Sequence, residues 1–128
     1  MKLLYEDESY KLRRACFNVY NTLGGGIQEK IIERALFKEL SSEGLAVENQ
    51  VKIDILYKGE KIGTYIPDIV VNDKIIVEIK SKLLLTKEDK KQFWGYLKNS
   101  KYKLGFLVIF SPKELIIKRF IHTKKLSV

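Results

Sequence analysis

Glu78 and Lys80 stand two residues apart in the stretch Ile75-Ile76-Val77-Glu78-Ile79-Lys80. On a β-strand that spacing sends both side chains to one face, so a carboxylate and an ammonium emerge together from an otherwise apolar strand. As a bare pattern, Glu-x-Lys is most often a solvent-facing pair of no catalytic consequence. Pro67-Asp68, on the segment before it, changes the reading. A hairpin would bring Asp68 towards Glu78; two carboxylates held close repel, and a divalent cation relieves the repulsion. Oxygen ligands in small number suit Mg²⁺, which keeps several waters and takes a phosphate oxygen as a further ligand. The chemistry these residues could support is the binding of a divalent cation together with a phosphate group.

Two helices contribute further candidates. In the segment from about residue 26 to Ser41, Ile32, Leu36 and Leu40 form an apolar stripe at i, i+4, i+8. At about 100° per residue, Glu29 projects within that stripe, and a carboxylate facing a core needs a reason, which a shared metal site would supply. Gln92 and Tyr96 are i, i+4 neighbours on a later helix and can project together over the same site.

The hairpin between the two strands sets a condition. With a two-residue loop at Asn72-Asp73, Val71 would face Lys74, and Asp68 would fall opposite Val77, on the wrong face. A shared site therefore predicts a three-residue loop, a bulge or a strong bend.

The elements that must position these residues follow from periodicity and punctuation. Ser9 is a plausible N-cap for a helix carrying Leu12, Cys16, Val19, Tyr20 and Leu23 on one side, and Gly24-Gly25-Gly26 breaks it before the second helix. Residues 47–57 alternate as a half-buried strand, Lys58-Gly59-Glu60 turns the chain, and residues 65–71 and 75–80 complete an expected antiparallel meander, with Pro67 marking an edge, a bulge or a strand start. Thr86-Lys87-Glu88-Asp89 has the form of a capping box opening a helix to about Lys98. The apolar run Leu104 to Phe110 predicts a strand covered on both faces, and Leu115 to Ile121, where charge returns at Lys118-Arg119, predicts a strand nearer an edge.

Together these residues resemble a known family. Gly26-x-x-Glu29 followed by Arg34 resembles the GxxExxxxR signature of a prokaryotic family of the PD-(D/E)xK nuclease superfamily. In order and kind, Glu29, Pro67-Asp68, Glu78-x-Lys80, Gln92 with Tyr96, and Gly105 are similar to the core of RecB-type nucleases and archaeal Holliday junction resolvases, over about Phe17 to Phe120. The resemblance implies an α/β, restriction-endonuclease-like fold with a mixed central sheet flanked by helices. It implies Mg²⁺-dependent phosphodiester hydrolysis, with Mn²⁺ as substitute cation, DNA as substrate before RNA, and a possible homodimer. Residue by residue, Asp68 and Glu78 would bind the metal with the Ile79 carbonyl, Glu29 would support the same ion or a second one through water, Lys80 would orient or activate the attacking water, Gln92 would position Lys80, water or phosphate, and Tyr96 would brace its helix or contact the strand. Arg34 lies about 140° around the helix from Glu29 and cannot pair with it simply. The competing implication is a fold-retaining accessory protein that binds nucleic acid without cutting it.

Composition agrees with one domain over residues 1–128. The net charge of +8 is uneven: residues 1–84 hold 13 Lys and Arg against 13 Asp and Glu, and residues 85–128 hold 11 against 3. A basic surface beside a neutral body suits a polyphosphate partner, because neutralised phosphates release counterions. No apolar run approaches the length of a membrane span or a secretory signal, so no membrane role and a cytoplasmic location are expected. Cys16 is the only cysteine, which excludes an internal disulfide and reads as a small core residue. His122 has no triad partners, Trp94 reads as packing, and Gly24-Gly25-Gly26 lacks a Walker lysine and reads as a turn.

Overall fold

The computed structural model describes residues 4–123. At its centre is the strand that the sequence marks as apolar throughout, Leu104–Phe110 (β6), every residue of which is buried. It pairs in parallel with Ile75–Lys80 (β5) and antiparallel with Leu115–Ile121 (β7). Beyond β5 lie Ile69–Val71 (β4) and the two-residue Val47–Glu48 (β1), giving a mixed five-stranded sheet in the order β1-β4-β5-β6-β7. The last strand sits at the edge, as its returning charge predicts.

Helices cover both faces. Glu6–Leu23 (α1) and Glu29–Ser42 (α2) lay Leu12, Cys16, Ile32 and Leu36 on Val77, Ile79, Phe106 and Val108. Lys87–Lys98 (α3) lays Phe93 and Leu97 on Ile76, Leu107 and Ile109 of the opposite face. Each such aliphatic side chain contributes about 1.5–3 kcal/mol on burial. The capping box at Thr86 is formed, its hydroxyl accepting the Asp89 N–H and the Asp89 carboxylate accepting the Thr86 N–H. Gly105 admits α3 to the sheet: a Cβ there would lie 2.7 Å from Phe93 Cζ and 3.1 Å from Ile76 Cγ1. Gly25 lets the turn after α1 touch the β6–β7 turn, where a Cβ would meet the Ser111 carbonyl oxygen at 2.2 Å.

Several expectations are corrected. The segment 47–57 is two strands, because Gln50 adopts a left-handed conformation (φ 61°) and turns the chain out of the sheet. Its second part, Ile53–Tyr57 (β2), pairs with Glu60–Tyr65 (β3) in a separate two-stranded ribbon, so the meander is confined to β4 and β5. The expected strand 65–71 is broken at residues 66–68, where Pro67 has no N–H to offer a ladder. Ser9 lies inside α1 rather than capping it, since the helix starts at Glu6 behind a left-handed Tyr5. Glu29 is exposed, because α2 begins at that residue and its buried stripe starts only at Ile32.

Candidate active site

The hairpin condition is met. Val71 pairs with Ile75, leaving Asn72, Asp73 and Lys74 as a three-residue loop. Asn72 and Asp73 both take left-handed conformations (φ 52° and 51°), which their short polar side chains tolerate. The ladder runs to Ile69 opposite Val77; one step further, Asp68 comes level with Glu78. There Pro67 ends the pairing, and the Ile79 N–H, facing the vacated side, donates instead to Asp68 Oδ2 at 2.7 Å. The break that spoils the strand is what puts a carboxylate beside Glu78.

Glu78 and Lys80 share the parity of Ile76 and so face α3. Tyr65, the last residue of β3, is buried and donates its hydroxyl to Glu78 Oε1 at 2.8 Å. Tyr96 of α3 stacks on the Tyr65 ring, centroids 4.0 Å apart and planes 3° from parallel. Ribbon, sheet and helix thus meet at one carboxylate.

The electrostatics are those of a strained acidic pair. Burial pushes Asp68 up to about 6, with Glu33 and Glu29 adding repulsion while the Ile79 N–H and Lys80 pull the other way. Burial pushes Glu78 up to about 7, helped by Asp68 and Glu29 and opposed by the Tyr65 hydroxyl and Lys80. Tyr65 is raised as well, first by burial and then by Glu78, so it stays a donor. Among the described residues neither Asp68 nor Glu78 has an ion-pair partner.

The structure therefore brings together Asp68, Glu78, Ile79 and Lys80, with Tyr96 reaching the group through Tyr65. Glu29 stands at the rim, close enough to raise both acids, with one carboxylate oxygen 3.3 Å from the Ser81 N–H. Gln92 is exposed and hydrogen-bonds none of these residues. Arg34 is exposed beside Lys30, Glu33 and Phe37 and pairs with neither acid. Two contributors escaped the sequence reading. Glu33 acts on Asp68 ahead of Glu29, and its signal was the i, i+4 spacing from Glu29. Tyr65 carried none, since its role depends on the ribbon.

A hard cation fits this donor set. Two half-buried carboxylates without a cationic partner face one another across a strand pair, and the main chain at Ile79 lies between them. Among the described residues no three acidic, histidine or cysteine side chains converge into a complete cage, so waters and substrate would have to supply the remaining ligands. Cys16 is buried on the far face, its thiol pushed up to about 12 by burial, and takes no part. Trp94 packs beside α3 with His122 edge-on at 5.2 Å. The same helix presents Lys87, Lys90, Lys91 and Lys98 to solvent, the basic surface expected from the charge distribution; Lys124 and Lys125 lie outside the described residues.

Comparison with known proteins agrees with this geometry. A family profile described as the PD-(D/E)XK nuclease superfamily matches residues 6–120. The crystal structure of an alkaline exonuclease (LHK-Exo) from Laribacter hongkongensis aligns over 98% of this chain and 74% of its own, with a TM-score of 0.53 and 16% sequence identity. At that identity the likeness speaks for the restriction-endonuclease-like fold. No protein of curated function matches the chain significantly.

Proposed function

Because this chain belongs to the PD-(D/E)XK nuclease superfamily, we propose that it hydrolyses phosphodiester bonds of DNA with a divalent cation, Mg²⁺ or its substitute Mn²⁺. The observation that carries the reading is the pair Asp68 and Glu78, two half-buried carboxylates with raised pKa values and Lys80 beside them. The spacing of Gly26, Glu29 and Arg34 supports placing the chain in the GxxExxxxR group of that superfamily.

In this reading Asp68, Glu78 and the Ile79 carbonyl would hold the ion, and Glu29 at the rim would support it. When bound, such an ion supplies Lewis-acid polarisation of a phosphate oxygen and a more acidic water. The remaining work belongs to the chain. Lys80 orients the attacking water and offsets the negative charge that gathers on the phosphoryl oxygens. The Tyr65 O–H holds Glu78 Oε1 in place and favours its ionised form. Tyr96 fixes the Tyr65 ring, and Gln92, exposed on the same helix, meets the phosphate or the water once substrate is present. Glu33 raises the local negative potential, which strengthens the pull on a cation. The basic face of α3 receives the flanking phosphates.

A cleavage panel of linear, circular, single-stranded and branched DNA, plus RNA, with Mg²⁺ or Mn²⁺ tests this. Activity that disappears with chelator, with Asp68→Ala and with Lys80→Ala supports the proposal. Binding without cleavage across the panel would instead favour an accessory protein that keeps the fold.

A further inference from the structure

Lys30 and Arg34 are i, i+4 neighbours on α2 and share one flank of it, next to the flank that carries Glu29 and Glu33. With Glu33, Phe37 and Asn49 they line a pocket of about 240 Å³ that contains none of Asp68, Glu78 or Lys80. Both walls of this pocket adjoin the acid centre. On the α2 wall, Glu33 lies close enough to raise Asp68. On the other wall, one step past the pairing of Glu48 with Val70, Asn49 comes level with Ile69, the residue after Asp68.

The charges of the pocket are not balanced from within the chain. Among the described residues Arg34 has no carboxylate partner, and the one acid of the pocket, Glu33, already pairs with Lys30 at 3.7 Å. Two cations against one carboxylate leave an excess of positive charge. Lys30 also stands in the first turn of α2, where the helix dipole disfavours a cation, and like charges at i, i+4 disfavour one another. An anion in the pocket relieves both. A lone exposed arginine would call for no ligand. This one adds a planar fork of donors, which matches phosphate oxygens in pairs, to a pocket that also offers the Lys30 ammonium and the Asn49 amide. The volume is smaller than that of clefts for drug-sized ligands, and suits a single phosphate group. The neighbouring acid centre says which phosphate: one on the strand being cut.

We infer that Arg34, with Lys30 and Asn49, holds the phosphate next to the one cleaved, on the strand whose scissile phosphodiester lies at Asp68 and Glu78. The inference rests on the nuclease reading above and adds to it a residue that sets the register of the strand. Arg34 touches the substrate away from the reacting atoms, so it acts on binding and on which bond is presented.

The test pairs a chemical change in the DNA with a change in the chain. End-labelled DNA that the parent cuts in Mg²⁺ is compared with the same DNA carrying one neutral methylphosphonate, at the linkage on one side of the cleaved bond or on the other. For the parent, neutralising one of these linkages is expected to lower kcat/KM about tenfold, mainly through KM. Arg34→Gln is expected to lose about tenfold on intact DNA and no more than about twofold further on that methylphosphonate, because the two changes remove one and the same contact. Arg34→Lys, which keeps the charge and loses the fork, is expected to fall between the parent and Arg34→Gln on intact DNA. Losses that multiply at both linkages, or an Arg34→Gln chain that cuts intact DNA with the parental kcat/KM, would overturn the assignment of Arg34 and leave the nuclease reading standing. A lowered melting temperature in Arg34→Gln, with the parent's full sensitivity to the methylphosphonate, would make Arg34 a structural residue and overturn the assignment as well. A parent chain that cleaves no nucleic acid would overturn the nuclease reading and this inference with it.

Discussion

Ile79 donates its backbone N–H to Asp68 Oδ2 over 2.7 Å at the point where β4 stops pairing with β5. A strand carbonyl would normally occupy that position; a carboxylate does so here because Pro67 takes the chain out of the sheet. The bond holds Asp68 level with Glu78 and leaves the pair on the face of the sheet that α3 covers. The predictions below follow from this local exchange of a ladder partner for an acid.

The first concerns Tyr65. Tyr65→Phe removes the donor to Glu78 but keeps the ring that stacks on Tyr96, so cleavage is expected to fall about tenfold with the melting temperature nearly unchanged. Tyr65→Ala removes both and is expected to cost about 3–5 kcal/mol of stability. Steady-state kinetics and denaturant unfolding of the two variants separate the roles.

The second concerns pH. Asp68 and Glu78 have folded-state values of about 6 and 7, above their ordinary 3.8 and 4.5. The folded state therefore binds their protons more tightly than the unfolded chain. Their contribution to stability is fully present below about pH 4 and is lost as pH rises through 6 and 7. In chelator, Asp68→Asn and Glu78→Gln are each expected to gain melting temperature relative to the parent between pH 5 and pH 8. A divalent cation competes with the same protons, so its stabilisation of the parent is expected to grow over that interval. Thermal melts across pH, with EDTA and with Mg²⁺, read both effects.

The strands and the third helix were legible because their signals are local. The all-apolar run at 104–110, the capping box at Thr86 and the two-residue spacing of Glu78 and Lys80 each follow from neighbouring residues. The three-residue hairpin was legible as one of three arrangements, with a bulge or a strong bend, that put Asp68 on the right face. The β2–β3 ribbon was not legible: alternation through 47–57 is the same whether the chain stays in one sheet or leaves it at Gln50, and the left-handed Gln50 has no sequence mark. Tyr65 was hidden for the same reason. Glu29 was misplaced because helical projection assumes that the helix has begun, and α2 starts at that residue.

The third prediction concerns glycines that bring the site's supports together. Gly105→Ala would press on Phe93 and is expected to cost about 1–3 kcal/mol, because an aromatic ring edge can shift. Gly25→Ala would meet the Ser111 main chain, which cannot, and is expected to be the more damaging. Denaturant midpoints of the two variants check the order.

The fourth concerns Lys80. Lys80→Ala removes a proton-bearing group but no metal ligand, so cleavage is expected to fall about 10²–10³-fold. Mn²⁺ binding, followed by calorimetry, is expected to persist. Loss of Mn²⁺ binding in this variant would move Lys80 from catalysis to structure.

The central claim is that Asp68 and Glu78 form a cation-dependent hydrolytic centre, and it is tested most directly by cleavage of end-labelled DNA in Mg²⁺ by the parent chain and by Asp68→Asn, whose fold the amide preserves. The account predicts cleavage by the parent that stops with EDTA, and a rate at least about 100-fold lower in Asp68→Asn. Cleavage by Asp68→Asn at the parental rate, or parental cleavage indifferent to EDTA, would contradict it.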